Sequence, residues 1–167
     1  MEKLETELLI YLGFGKSDLD FKYSEYEDMK KHYKTKEISS KEENKMLKDF
    51  GSTVFLKNFP VYTSPFWNMK KNGQGKESYA NKIDVILYGN ETIGSAERSS
   101  DVVEMKKQFQ TISKGGYAKK LYKLFGKSRV NKELDEFLSL KFFPRFGGGI
   151  GMTRLMDAYT KLQSDKS

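Results

Sequence analysis

The chain has no cysteine among its 167 residues. That excludes disulfides, thiolate metal sites and a cysteine nucleophile. It has one histidine, His32, set in the lysine-rich stretch Lys30-Lys31-His32-Tyr33-Lys34. Read as a solvated surface group, it leaves no base for Ser-His-Asp chemistry. Three prolines and no low-complexity tract argue against long disorder. No apolar run approaches the roughly 18 residues of a membrane span, and Met1-Glu2-Lys3-Leu4 does not open a signal peptide. The expectation is a soluble, cytoplasmic protein with no membrane partner.

What is present is charge. Charged residues make up 32% of the chain and apolar ones 37%, the balance of a globular protein with a heavily charged surface; its length suits one domain over 1–167. The net charge is +7, and it is concentrated. Between Asp101 and Lys132 lie nine basic residues, among them Lys119, Lys120, Lys123 and Arg129, against only Asp101 and Glu104. The apolar positions of that segment (Val102, Val103, Met105, Phe109, Ile112, then Tyr117, Leu121, Leu124, Phe125) have helical spacing. Two readings stay open: a solvated helical face, or a surface for phosphate backbones.

Apolar spacing predicts helices over Glu2–Leu12 and Tyr23–Tyr33. Ser40 reads as an N-cap, with Glu43 completing a capping box for a helix to about Phe50. Strands are expected at Thr53–Leu56 and Ile83–Tyr88, a polar hairpin-like loop over Lys70–Tyr79, and a tight turn at Gly89-Asn90 leading to Glu91–Gly94. Phe66–Met69 is a short apolar patch. Helices follow from about Val102 to Phe137, then a glycine-rich strand and a final helix. Strands in consecutive runs without strict strand–helix alternation predict the α+β class: a mostly antiparallel sheet flanked by helices.

Three features carry chemistry. Four of the five residues Gly147-Gly148-Gly149-Ile150-Gly151 are glycine, a backbone without Cβ shielding that a flat or polyanionic ligand can approach closely. Arg154 follows at the start of an apolar helical run, and a guanidinium there suits a nucleotide phosphate or base. Asp84 and Glu91, seven residues apart, fall on neighbouring antiparallel strands; whether they share a face depends on the register. Two carboxylates beside a phosphate-binding backbone suit Mg²⁺. Asp84 interrupts an apolar run, where a lone carboxylate is costly unless paired or metal-bound. Arg98, at the end of the second strand, is placed to grip a substrate carboxylate bidentately.

Together, Ile83-Asp84-Val85-Ile86-Leu87, Glu91-Thr92-Ile93-Gly94-Ser95-Ala96-Glu97-Arg98 and Gly147-Gly148-Gly149-Ile150-Gly151-Met152-Thr153-Arg154-Leu155 resemble class II aminoacyl-tRNA synthetases. The aspartyl/asparaginyl subgroup and its asparagine synthetase relatives are most similar, over about Tyr23 to the end. The resemblance implies that Gly147, Gly148, Gly149, Gly151 and Arg154 bind ATP, with Arg154 the catalytic arginine on its phosphates. Asp84 and Glu91 would hold Mg²⁺, and Arg98 would recognise the side-chain end of aspartate or asparagine. Gly94 stands where the family often has a metal-coordinating serine, and Pro144-Arg145 where it usually has a histidine. The segments Val54–Pro60 and Pro65–Lys70 are similar to the strand-loop-strand preceding the carboxylates.

The implied function is ATP-dependent formation of an aminoacyl adenylate. tRNA is implied as a partner, through the basic helices of 101–132. The family's first motif, and its second motif with the arginine for the α-phosphate, are not found upstream of Phe55, nor is an anticodon-binding barrel. The sequence therefore reads as the C-terminal half of a catalytic domain, with a second polypeptide expected to supply the other half. The alternative is a non-catalytic relative that binds nucleotide, RNA or a partner protein.

Overall fold

The computed structural model describes residues 1–73, 75 and 78–166. Helix α1 (Glu2–Tyr11) is followed by strand β1 (Lys22–Glu25) and helix α2 (Tyr26–Tyr33). The helix expected from Tyr23 is therefore split. Its first residues pair in parallel with strand β2 (Thr53–Pro60), Tyr23 opposite Phe55, and their rings stack 4.7 Å apart. Aromatic cross-strand packing outweighs local helical spacing here. Helix α3 (Ser40–Phe50) starts one residue earlier than expected: Ser39 is the N-cap, and Glu42 closes the capping box. That frees Glu43.

Strand β2 runs four residues beyond the expected Leu56, bulging near Asn58, whose φ is +57°. Short strand β3 (Lys71–Asn72) and strand β4 (Tyr79–Leu87) flank the polar loop, of which Gln74, Lys76 and Glu77 lie outside the described residues. Strand β5 (Asn90–Arg98) returns after a two-residue turn at Tyr88 and Gly89, with φ of +48° and +80°. The turn sits one residue before the expected Gly89-Asn90. Both central residues take left-handed backbone, as tight hairpins require. Helices α4 (Val102–Thr111), α5 (Gly116–Phe125) and α6 (Lys127–Leu138) follow, α4 capped by Asp101. Strand β6 (Arg145–Ile150) and helix α7 (Met152–Asp165) end the described chain.

The sheet order is β1-β2-β4-β5-β6, with β3 also on β4; β1–β2 is parallel and every other pair antiparallel. The α+β architecture expected from the sequence is the one observed. Alternation along the strands divides the side chains. Phe55, Ile83, Val85, Leu87 and Ile93 pack on one face with Leu9 of α1 and Ala158 and Leu162 of α7. Val54, Leu56 and Ile86 pack on the other with Tyr26 and Met29 of α2 and Met46 of α3. A third cluster joins α4, α5 and α6 around Trp67, whose ring meets Phe109 and Phe137 edge-on.

Helices α2 and α3 cover the β2 side of the second face. Helix α3 also meets β5.

Candidate active site

Asp84 pairs with Gly94, but one step along the hairpin the register shifts, so that Ile86 lies opposite Glu91. This bulge places one extra residue in β5. Without it, Glu91 would alternate in phase with Ile93 and point into the core. With it, Glu91 joins Asp84 and Gly94 on the α2/α3 face.

The two carboxylates converge above the glycine. A Cβ at Gly94 would stand 3.1 Å from Glu91 Oε1 and 3.3 Å from Asp84 Oδ1. The missing side chain is what leaves the space between them open.

Asp84 is 5% exposed. Its Oδ2 accepts from the Lys82 ammonium, while Oδ1 is buried with no hydrogen-bond partner. Burial pushes its carboxyl up to about 7 against the pull of Lys82, and the negative charges of Glu91 and Glu43 add to the rise. Glu43, projecting from α3, is itself pushed up by burial and then by Glu91. A cavity of about 320 Å³ opens at this point, lined by Glu43, Lys82, Asp84 and Glu91 with Phe59, Phe66 and Met69.

Beyond the carboxylates the sheet is bare. Gly149 pairs with Gly94 and Gly147 with Ala96, so the floor of β5 and β6 carries almost no side chain. A Cβ at Gly149 would meet nothing within 4 Å. None of Gly147, Gly148, Gly149 or Gly151 has positive φ. Their role is therefore spatial: Gly148 fits because a Cβ there would lie 2.6 Å from the Gly94 carbonyl oxygen.

Two arginines mark the ends of this floor. In the first turn of α7, Arg154 Nη1 donates to the Glu91 carbonyl oxygen at 2.6 Å, and the Gly151 N–H donates to Thr92 O at 2.8 Å. At the other end, Arg98 Nη1 donates to Asn68 Oδ1 at 3.2 Å and Nη2 to Gly147 O at 3.1 Å. Burial and the nearby Arg145 guanidinium lower the Arg98 pKa. No ion pair is formed by Arg98 among the described residues, so a half-buried cation waits without an acidic partner.

A family model for tRNA synthetases class II (D, K and N) matches residues 2–166. The chain belongs to this family. The asparaginyl-tRNA synthetase of Pyrococcus horikoshii is similar in structure, with a TM-score of 0.65 at 18% identity over 97% of this chain and 38% of that one. The aspartyl-tRNA synthetase of Entamoeba histolytica gives 0.60 at 20% identity over 83% and 28%. The asparaginyl-tRNA synthetase of that organism, in complex with asparaginyl-adenylate, gives 0.58 at 19% identity over 92% and 35%. These likenesses establish the fold, and the chain spans about a third of the length of the solved synthetases it matches. No curated protein matches the sequence.

Within this class II synthetase fold, Asp84, Glu91, Arg98, Gly147, Gly149 and Arg154 lie along one strip of sheet. Gly148 and Gly151 act through backbone packing. Arg145, paired with Arg98 across β5 and β6, turns to Ser99 O at 3.3 Å and lies over the Phe142 ring. His32 is exposed against Tyr33 and Phe50.

Among the described residues, no group of three or more His, Cys, Asp or Glu has metal-holding geometry. Two convergent carboxylates with an orphaned buried oxygen still fit Mg²⁺, which completes its shell with water and substrate phosphates.

Sequence reasoning missed Lys82, Asn68 and Glu43. For Lys82 the signal was present: two residues before Asp84 on a strand means the same face. Glu43 was hidden by assignment to the cap. Nothing local foretold Asn68, which meets Arg98 from 30 residues away.

Proposed function

We propose that this chain provides one wall of an ATP-dependent amino-acid activating site, that of an aminoacyl-tRNA synthetase-like ligase acting on aspartate or asparagine. The observation that carries this reading is the strip itself, with paired carboxylates, a side-chain-free floor and an uncompensated arginine in sequence. A flat base and a polyphosphate fit over Gly147 and Gly149. Arg154 neutralises the β/γ-phosphates at one end. Arg98 holds the substrate side chain at the other, its planar fork suited to a carboxylate or amide oxygen. Held so, the substrate carboxylate attacks the α-phosphorus and pyrophosphate departs, giving the aminoacyl adenylate. Catalysis is by positioning and charge neutralisation, with no covalent nucleophile. Asp84 and Glu91 would hold Mg²⁺, which when bound offsets phosphate charge.

The bound asparaginyl-adenylate of the Entamoeba relative supports the choice of substrate class. tRNA is assigned to the basic surface of α4, α5 and α6, where Lys119, Lys120 and Lys123 are not buried. A cytoplasmic location follows from this role, and no helix among the described residues is long and apolar enough to cross a membrane.

One observation favours a second reading, a non-catalytic relative binding nucleotide, RNA or a partner protein. Among the described residues β6 pairs only with β5, and Phe146 (55% exposed) and Ile150 (41%) stand on this open edge. On the ligase reading, further polypeptide carrying the family's first two motifs supplies the wall facing the glycine floor. Pyrophosphate exchange with aspartate or asparagine separates the two. The ligase reading predicts exchange that is abolished by Arg154→Ala or Arg98→Ala, in the chain supplied with such a complement. No exchange under any complement leaves the binding role.

A further inference from the structure

Lys82 is the cation paired directly with a carboxylate of the cluster, and its seat is built from two sides. Its ammonium pairs with Asp84 Oδ2, and it lies 3.8 Å from the centroid of the Phe59 ring. The side chains of Lys82 and Asp84 are 21% and 6% exposed, so water screens this pair poorly. Opposite Lys82 across the β4–β5 ladder is Ala96, small enough to leave the lysine room. The arrangement divides the Asp84 carboxylate. Oδ2 is occupied, while Oδ1 is buried, without a partner, and turned to the point it shares with Glu91 Oε1 above Gly94.

A divalent cation at that point lies across a single carboxylate from the ammonium. The two like charges repel through a poorly screened path. Asp84, Glu91 and Glu43, set against Lys82 and the Arg154 guanidinium at the edge of the cluster, together present only about one net negative charge to an incoming free ion. A polyphosphate changes the balance, because it carries several negative charges of its own.

We propose that Lys82 is a resident counter-cation that keeps free divalent ions from the Asp84–Glu91 site, so that the metal enters only in company with a polyphosphate. This rests on the reading of Asp84 and Glu91 as cation ligands. Lys82 is thus a positioning residue: it fixes which oxygen of Asp84 faces Glu91 and sets the order in which metal and nucleotide arrive.

The test is Mn²⁺ titration of the full chain, followed by the loss of the free-ion electron paramagnetic resonance signal, with and without ATP. Cooperative thermal unfolding of each variant is checked first. Without nucleotide, Lys82→Met and Lys82→Gln are expected to bind Mn²⁺ about tenfold or more tighter than the wild type. Lys82→Arg, keeping the charge, stays near the wild type, and adding Asp84→Asn to Lys82→Met removes the gain. ATP is expected to tighten Mn²⁺ binding by the wild type far more than by Lys82→Met. If Lys82→Met does not fold, Lys82→Gln decides. Equal affinity in the wild type and both neutral variants, lost on Asp84→Asn, overturns the role of Lys82 and leaves the cation site standing. Absence of Mn²⁺ binding in every variant, with or without ATP, overturns both.

Discussion

Asp84 and Glu91 face a common point above Gly94 because a bulge in β5 shifts the register between Val85 and Ile86. Ile93, paired with Val85 before the shift, stays in the core, where it is 3% exposed. Deleting Thr92, the residue within the bulge, removes it yet leaves Glu91 and Ile93 on opposite faces. The carboxylates are therefore expected to stay together, while the buried Thr92 and its carbonyl bond to the Gly151 N–H are lost, read as a lower thermal midpoint.

The glycines of β6 are predicted to differ sharply. A Cβ on Gly148 would lie 2.6 Å from Gly94 O and 3.0 Å from Ser95 Cα, both backbone atoms. Gly148→Ala is therefore expected to destabilise the chain by about 2 kcal/mol or more, through strain between β5 and β6. Gly149→Ala meets nothing and stays within about 0.5 kcal/mol. Yet it puts a methyl on the floor and is expected to weaken ATP binding. Denaturant unfolding and nucleotide titration on the two variants check the pair of outcomes.

Asp84 ties stability to pH. Burial raises its carboxyl from 3.8 to about 7 in the folded chain. The protonated form is the one the fold favours, so the contribution of Asp84 is fully present below pH 4 and is lost as pH rises through 7. Asp84→Asn cannot ionise and lacks this loss. Its stability relative to the wild type, read by denaturant unfolding, is expected to climb between pH 4 and pH 8 by an amount on the order of 4 kcal/mol. A gap that is flat with pH contradicts the assignment.

Arg98 is held from behind by Asn68 and Gly147 O, leaving its charge for a ligand. Arg98→Lys keeps the charge and loses the fork, and Arg98→Ala loses both. Both are expected to weaken aspartate or asparagine binding, by roughly ten- to hundredfold for alanine. Neither should lower the thermal midpoint by more than a few degrees, since the side chain is only half-buried.

Neutralising Lys119, Lys120 and Lys123 to Gln is expected to weaken tRNA binding uniformly across sequences and to flatten its salt dependence by about two to three units of slope. ATP binding, on a distant part of the sheet, stays unchanged.

Much of this fold was legible in the sequence for a physical reason. The strand from Ile83 and the helices of α4 to α7 carry strong local periodicity, which tertiary packing reinforces. Residues 23–25 read as helix because Tyr23 and Tyr26 also suit one, and the Phe55 ring decides otherwise. Asp84, Glu91 and Arg98 stood out as polar groups in or beside apolar strands. Their common face was not legible, because a bulge follows from side chains on both strands rather than from spacing within one. Asn68 and Glu43 reach the site from separate elements, and only the folded chain brings them there.

The central claim is that these residues of a single chain form a binding wall for Mg²⁺ and ATP. Calorimetric titration of Mg²⁺–ATP into the full chain tests it most directly. The account predicts saturable binding that is lost with Asp84→Asn or Glu91→Gln and weakened about tenfold or more by Arg154→Ala. Binding that is absent, or that survives all three substitutions unchanged, contradicts it.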